Sequence, residues 1–484
     1  MTAGLRKRTV TALLWSACQS WGMKLLALVV FFVLARHLTP TEMGLAQAVI
    51  LILAFIAIIS EQGFQDAIVQ RPNLAPEDLN LPFIISMATA FTASGALLMY
   101  STEIARALSA DAAAPLIAVA AIIPPITASS VFEIAMRRKQ LDFKTLAFAS
   151  LIAGLLSGIV ALVMATNGYG AASLIAQAIV AAITTAVVLW RKPLWKPGRK
   201  FAKESFKGLL AYSTSAFGSR LLDFFSGKII DLIILSRFGL SSLGIFTVGA
   251  KLYLTILQLL ASTLIDVALS AMSKISSDTE RLRNAYLRFI FLASCTTAPL
   301  FVGVAALAPE ACRILFGDQW HEAEQVTRWL CFLGAAQVVQ FFNSSALGAR
   351  GKANQILALN LLKFSLGAIV LFSASASTIS EITLFFVISQ LAVTPVSFFF
   401  GMRVTQTKIG EVLSQIMPGL IASAAAYACT EVARMYIPAP EGNLLANAIV
   451  LGTVYGVSVM AVLGATSAKK LRTHISYVAN FRSQ

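Results

Sequence analysis

Charge is scarce in this sequence. Of its 484 residues only 13% are Asp, Glu, Lys or Arg, about half the ~25% usual in soluble domains, while 57% are hydrophobic and the mean hydropathy is +0.78. That composition excludes an ordinary soluble fold and indicates a polytopic membrane protein. Histidine is scarcer still: His37, His321 and His474 each fall in a predicted connection or tail, so no catalytic histidine is inferred. The five cysteines show no CxxC or other ligand spacing, and Cys18, Cys295, Cys331 and Cys429 lie within apolar runs, where they read as small packing residues. Neither a disulfide framework nor a metal site is indicated. No GxxxxGK(S/T) occurs, which argues against direct ATP use, and no cofactor is expected.

What the sequence has instead is long apolar runs. Arg6, Lys7 and Arg8 precede one that continues to about Leu34, too long for a secretory signal and without a small-residue cleavage pattern, so it reads as a retained anchor. Onward, the expected spans are 10–35, 43–60, 81–101, 115–136, 143–165, 169–190, 207–236, 242–270, 286–308, 326–348, 353–375, 380–401, 412–433 and 445–466, about fourteen helices of roughly 18 to 30 residues. Pro124 with Pro125, Pro299, Pro395 and Pro418 fall inside four of them, where proline kinks a helix or frees backbone groups.

Lys and Arg collect in alternate connections: Arg6 to Arg8, Arg137 to Lys144, Arg191 to Lys207, Lys274 to Arg288, Arg350 with Lys352, Arg403 with Lys408, and Lys469 to Arg482. By the positive-inside rule these face the cytoplasm, as do both termini. The net charge of +15 belongs mostly to these flanks, which meet anionic membrane lipid, so no nucleic-acid partner is needed to explain it. The longest basic connection, RKPLWKPGRKFAKES, reads as a solvated hinge. It divides the chain into a six-helix lobe (1–190), a cytoplasmic linker (191–206), a second six-helix lobe (207–402) and two further helices with a cytoplasmic tail (403–484). The second lobe carries an echo of the first: FFVLARHLTPTEMGLA (Phe31 to Ala46) parallels LIILSRFGLSSLGIF (Leu232 to Phe246), as expected of parallel repeats.

One apolar stretch is unusual. Lys207 to Phe238 is long enough to span, yet it contains Arg220, Asp223, Lys228 and Asp231, and ionised side chains are expensive in lipid. At 100° per residue the four fall within roughly 140° of one another, so one face is charged and must turn into a bundle or a watery cavity. Lys24, Arg220 with Asp223, and Lys363 lie near the middles of the first, seventh and eleventh spans; Lys228, Asp231 and Lys251 lie toward the periplasmic half, and Glu133 and Asp266 near cytoplasmic ends. Gln19, Gln47, Gln258, Gln340, Asn343 and Asn360 add polar groups, most of which interhelical hydrogen bonds would explain.

LARHLTPTEMGLAQAV (Leu34 to Val49), EQGFQDAIVQRPNLAPEDLN (Glu61 to Asn80), RRKQLDFKTLAFASL (Arg137 to Leu151), NGYGAASLIAQ (Asn167 to Gln177) and ILFGDQWHEAEQVTRWL (Ile314 to Leu330) resemble the polysaccharide flippases of the multidrug, oligosaccharidyl-lipid and polysaccharide exporter superfamily. The resemblance implies a bacterial inner-membrane protein that is not an enzyme and exports a lipid-linked oligosaccharide for exopolysaccharide or lipopolysaccharide synthesis, with polysaccharide polymerase machinery as a further partner. A polyprenyl diphosphate carries its charge where lipid meets glycan, and ammonium or guanidinium groups at mid-depth suit it. The substrate-binding candidates are therefore Lys24, Arg220, Lys363, Lys228 and Lys251, with Asp223 and Asp231 as candidates for ion coupling. The competing structural reading pairs Arg220 with Asp223 and Lys228 with Asp231, and lets the other lysines snorkel or pair elsewhere. The expected mechanism is alternating access, two lobes rocking to open a cationic cavity to either side. A drug or small-cation antiporter would want an acidic cavity, and a membrane polymerase or glycosyltransferase a larger periplasmic loop.

Overall fold

The computed structural model describes residues 22–71, 74–200, 203–436 and 443–480. Cys18, Gln19, the basic run at Arg6 to Arg8, the side chain of Asp266 and the end of the tail lie outside the described residues. All regular structure among them is helical: α1 (22–37), α2 (Pro40–Glu61), α3 (Phe64–Gln70), α4 (Asn80–Met99), α5 (Ser101–Ala107), α6 (Ala114–Ala120), α7 (Ile123–Lys139), α8 (Phe143–Thr166), α9 (Ala172–Trp190), α10 (Lys203–Lys274), α11 (Thr279–Ala306), α12 (Ala308–Leu315), α13 (Ala323–Ala349), α14 (Ala353–Ser373), α15 (Ile379–Ala392), α16 (Thr394–Thr405), α17 (Ile409–Tyr436) and α18 (Leu444–Asn480).

Eleven of these segments are long and apolar enough to cross a membrane, or twelve if a bent pair is taken as one span, against the fourteen expected. Two features account for the difference. Gly208–Leu260 counts once, yet its 53 residues measure about 80 Å at ~1.5 Å per residue, more than two ~30 Å hydrocarbon cores, and the helix is broken at Gly239 (φ 80°). The first expected span, 10–35, is described only from residue 22. Large apolar side chains such as Phe91, Ile159, Ile369, Val457 and Met460 are exposed along the spans, as lipid-facing residues are.

The chain divides into two compact units, Met1–Thr247 and Val248–Gln484. In the first, α8 packs along α9, and α7 touches α2, α3, α4 and α9. α2 opens on a capping box in which Glu42 accepts from the Thr39 amide (2.8 Å), Thr39 Oγ1 accepts from the Glu42 amide, and Pro40 occupies the first turn. The prolines act as expected in the fourth span, where α6 and α7 meet at a 44° bend beside Pro124.

The echoed motifs meet. A Cβ on Gly44 would lie 1.8 Å from the carbonyl oxygen of Leu240, and one on Gly244 would lie 1.9 Å from that of Pro40. Each glycine is pressed against the carbonyl four residues before its counterpart, a reciprocal contact that only a missing side chain permits.

In the second unit α11 packs against α13 and α17, and α17 along α18. Pro299 and Pro418 remain inside continuous helices; Tyr455 OH donates to the Pro299 carbonyl (2.7 Å) and Ser294 Oγ to that of Ile416 (2.6 Å). Polar side chains here tie helices together. Tyr286 OH donates to Asn343 Oδ1 (2.6 Å), Asn343 Nδ2 donates to Ser397 Oγ (3.0 Å), and Gln340 Nε2 to Thr394 Oγ1 (2.7 Å).

The basic connection after α9 is a strap rather than a solvated hinge. The Glu133 carboxylate, wholly buried, accepts from the amides of Leu194 (3.0 Å) and Trp195 (3.1 Å), and Arg137 donates to the Lys192 carbonyl (2.6 Å) and to Asp142 (2.7 Å). Trp195 Nε1 donates to the Pro76 carbonyl (2.8 Å), and Asn80 accepts from the Gly198 amide (2.9 Å) and donates to the Lys200 carbonyl (2.8 Å). The basic side chains face outward while the backbone is pinned, because a backbone without its own secondary structure finds its hydrogen bonds in Glu133, Arg137 and Asn80.

Candidate substrate-binding site

The charged face of α10 is positioned by an elbow between α2 and α3. Gln62 ends α2 in the left-handed region (φ 50°) and Gly63 follows with φ 74°. A Cβ on Gly63 would meet the Ser213 carbonyl oxygen at 2.5 Å, and Ser213 Oγ donates to the Gln62 carbonyl, so α10 lies directly on the elbow. Arg220 is seven residues beyond Ser213, two turns along the same face, and this brings it level with the acids on either side of the turn.

Each of its three guanidinium nitrogens donates one hydrogen bond. Nε and Nη2 each donate to a different oxygen of Asp66 at 3.0 Å, and Nη1 donates to Glu61 Oε1 at 2.6 Å. This is the bidentate geometry that a planar fork makes with a carboxylate. The partners differ in setting: 13% of the Glu61 side chain is exposed and 41% of that of Asp66, so Glu61 is the acid that depends on the arginine. With its amide turned to satisfy both neighbours, Gln65 donates to Glu61 Oε1 (3.0 Å) and accepts from Arg138 (2.6 Å), which extends the network to α7.

The other candidates fall as follows. Asp223 is exposed, and among the described contacts none joins it to Arg220. Lys228 donates to buried Asp231 at 2.8 Å. Lys24 on α1 is half-buried, as are Lys251 on α10 and Lys363 on α14. Glu61, Gln65, Asp66 and Arg138 were missed by counting charges inside spans, because they stand at span ends. The signal was present in EQGFQD, where a Gln-Gly turn separates two acids five residues apart.

The profile of the polysaccharide biosynthesis protein family matches residues 33–325, more than half of the chain. The chain belongs to this family. Among the relatives of this polysaccharide biosynthesis family member is the succinoglycan biosynthesis transport protein ExoT of Rhizobium meliloti (strain 1021), 26% identical over 66% of this chain and 65% of that protein. The chain thus spans just under two thirds of ExoT. The lipopolysaccharide biosynthesis protein WzxC of Escherichia coli (strain K12) is 22% identical over 82% of this chain and 81% of its own length. Among solved structures, the lipid II flippase MurJ in an inward closed conformation superposes with a TM-score of 0.72 at 14% identity, covering 93% of this chain and 99% of that one. The likeness to MurJ is one of fold. The resemblance to polysaccharide flippases read from the sequence is borne out, as is the all-helical, multi-pass membrane architecture.

Proposed function

We propose that the protein flips a polyprenyl-diphosphate-linked oligosaccharide from the cytoplasmic to the periplasmic leaflet of the bacterial inner membrane by alternating access, without covalent chemistry. The link to polysaccharide synthesis rests on the family and on the names of ExoT and WzxC, and the lipid-linked form of the substrate on the resemblance read from the sequence. The observation that carries the reading to particular residues is the Arg220 fork, which already grips a carboxylate in bidentate fashion. A diphosphate presents the same oxygen spacing with more charge and can compete for that fork. Asp66, the more exposed acid, is the partner to be displaced; Glu61 keeps Gln65 and stays near Arg138. Lys24, Lys228, Lys251 and Lys363 are proposed as further cations along the route, and Asp223 and Asp231 as groups that could couple an ion to it. Both termini face the cytoplasm in this reading, and polysaccharide polymerase machinery takes the product.

The test is transport of a fluorescent lipid-linked oligosaccharide in reconstituted vesicles. Flipping is expected to respond to an imposed ion gradient and not to ATP alone, and to fall when Arg220 is replaced by Lys, which keeps the charge and loses the fork. Flipping that survives Arg220→Lys unchanged removes Arg220 from the substrate site; flipping unchanged with every gradient collapsed removes the coupling.

A further inference from the structure

The strap builds a cavity that the proposed transport does not use. Leu194, Trp195 and Lys196 form one wall and Leu74, Ala75, Pro76, Leu79 and Met136 the rest, around a volume of about 290 Å³. Seven of the eight lining residues have apolar side chains, Lys196 and backbone atoms supply its polar surface, and the site is a groove open on one side with room for a segment of acyl chain. The wall is fixed: the amides of Leu194 and Trp195 are held by buried Glu133, and the Trp195 indole by the Pro76 carbonyl. Lys196 lines the groove, and the strap that carries it also exposes Arg191, Lys192, Arg199 and Lys200; the two acids on the facing wall are occupied, Glu77 standing 3.8 Å from Lys200 and buried Asp78 accepting from the Ala75 amide (2.9 Å).

The position decides what such a pocket can hold. α4 begins at Asn80, α7 ends at Lys139 and α9 ends at Trp190, so the cavity lies where three spans stop, at the depth of lipid head groups. An apolar pocket under a basic rim at that depth fits an amphiphile with an anionic head. We infer that this cavity binds an anionic glycerophospholipid, a segment of acyl chain occupying the pocket and the phosphate resting against Lys196 and Lys192. The bound lipid fastens the strap to the ends of α4 and α7.

Native mass spectrometry of the full-length protein in mild detergent tests this, with phosphatidylglycerol and phosphatidylcholine of identical chains as the probes. Phosphatidylglycerol is expected to be retained in preference. Lys196→Ala and Lys192→Ala should each weaken its retention about fivefold, the usual share of one basic residue at a membrane surface, while Lys408→Ala changes nothing. Met136→Trp, which fills the pocket, should reduce retention of both lipids. Should that variant fail to fold, the exposed lysines still decide the question. Equal retention of the two lipids, or undiminished phosphatidylglycerol on Lys196→Ala, overturns the site. Displacement of the phospholipid by a polyprenyl phosphate at equal concentration overturns its assignment to phospholipid. Retention needs no transport, so the result stands apart from the flipping assay.

Discussion

Arg220 separates two roles that a single residue can play in a membrane. As a structural cation it neutralises Glu61 and Asp66; as a recognition group it trades Asp66 for substrate. Arg220→Ala should lower thermal stability in nanodiscs, because Glu61 keeps little solvent in exchange for its lost partner, a cost on the order of 1–3 kcal/mol. Neutralising both acids as well, with Glu61→Gln and Asp66→Asn, should restore the unfolding midpoint. Transport measured on that triple variant is the discriminating readout. Recovered stability with transport still absent supports substrate recognition, whereas recovery of both would assign Arg220 to structure alone. Asp223→Asn should leave stability unchanged, since Asp223 is exposed and makes no described contact with Arg220.

At the scale of elements, two contacts carry more than their residue types suggest. The reciprocal approach of Gly44 and Gly244 joins the starts of the second and eighth expected spans, with each missing Cβ lying within 2 Å of a carbonyl oxygen. Backbone oxygen cannot swing aside as a side chain can, so Gly44→Ala and Gly244→Ala should each cost about 1–3 kcal/mol or abolish folded yield, read by size-exclusion recovery and thermal unfolding. Gly95→Ala is the control: nothing lies within 4 Å of its Cβ, so the helix should gain slightly in propensity. The strap offers a second test. Glu133→Ala takes away the acceptor of the Leu194 and Trp195 amides, so trypsin should cut after Arg199 and Lys200 much faster than in the parent, while Glu133→Gln, which keeps an acceptor, should fall between. Cutting rates equal in all three would mean that Glu133 does not hold the strap.

For the whole molecule the testable quantity is orientation. Cysteine probes report it cleanly here because the described native thiols other than Cys429 are buried, and outside the spans burial pushes the Cys312 thiol up to about 12, leaving little thiolate near neutral pH. With Cys429 replaced by Ser, a cysteine at Gln319 should be labelled by a membrane-impermeant maleimide in intact cells, and one at Arg199 only after the membrane is opened. Labelling of Arg199→Cys in intact cells would invert the orientation and put the strap, with its lipid, on the periplasmic side.

The sequence by itself determined that the chain is a series of long apolar helices, that the first half of α10 carries one charged face, and that two Arg-to-Gly motifs echo one another. These are properties of length, periodicity and local pattern, which survive any packing. It also set the Lys228 and Asp231 pair, since on one helix a spacing of three places side chains within reach. The same spacing separates Arg220 from Asp223, and there the competing reading of a local pair is not met, because spacing makes a pair possible without choosing it. The choice fell to Asp66 and Glu61, 154 and 159 residues away, which the Gln62–Gly63 elbow and the α10 backbone at Ser213 bring to one guanidinium. The strap was decided in the same way. Its prolines, glycine and lysines read as solvated chain, and only the tertiary structure supplied the buried carboxylate and the asparagine on which that backbone hydrogen-bonds. Local geometry is written residue by residue, but which distant donor meets which acceptor depends on how helices pack, and that is settled only when the chain has folded.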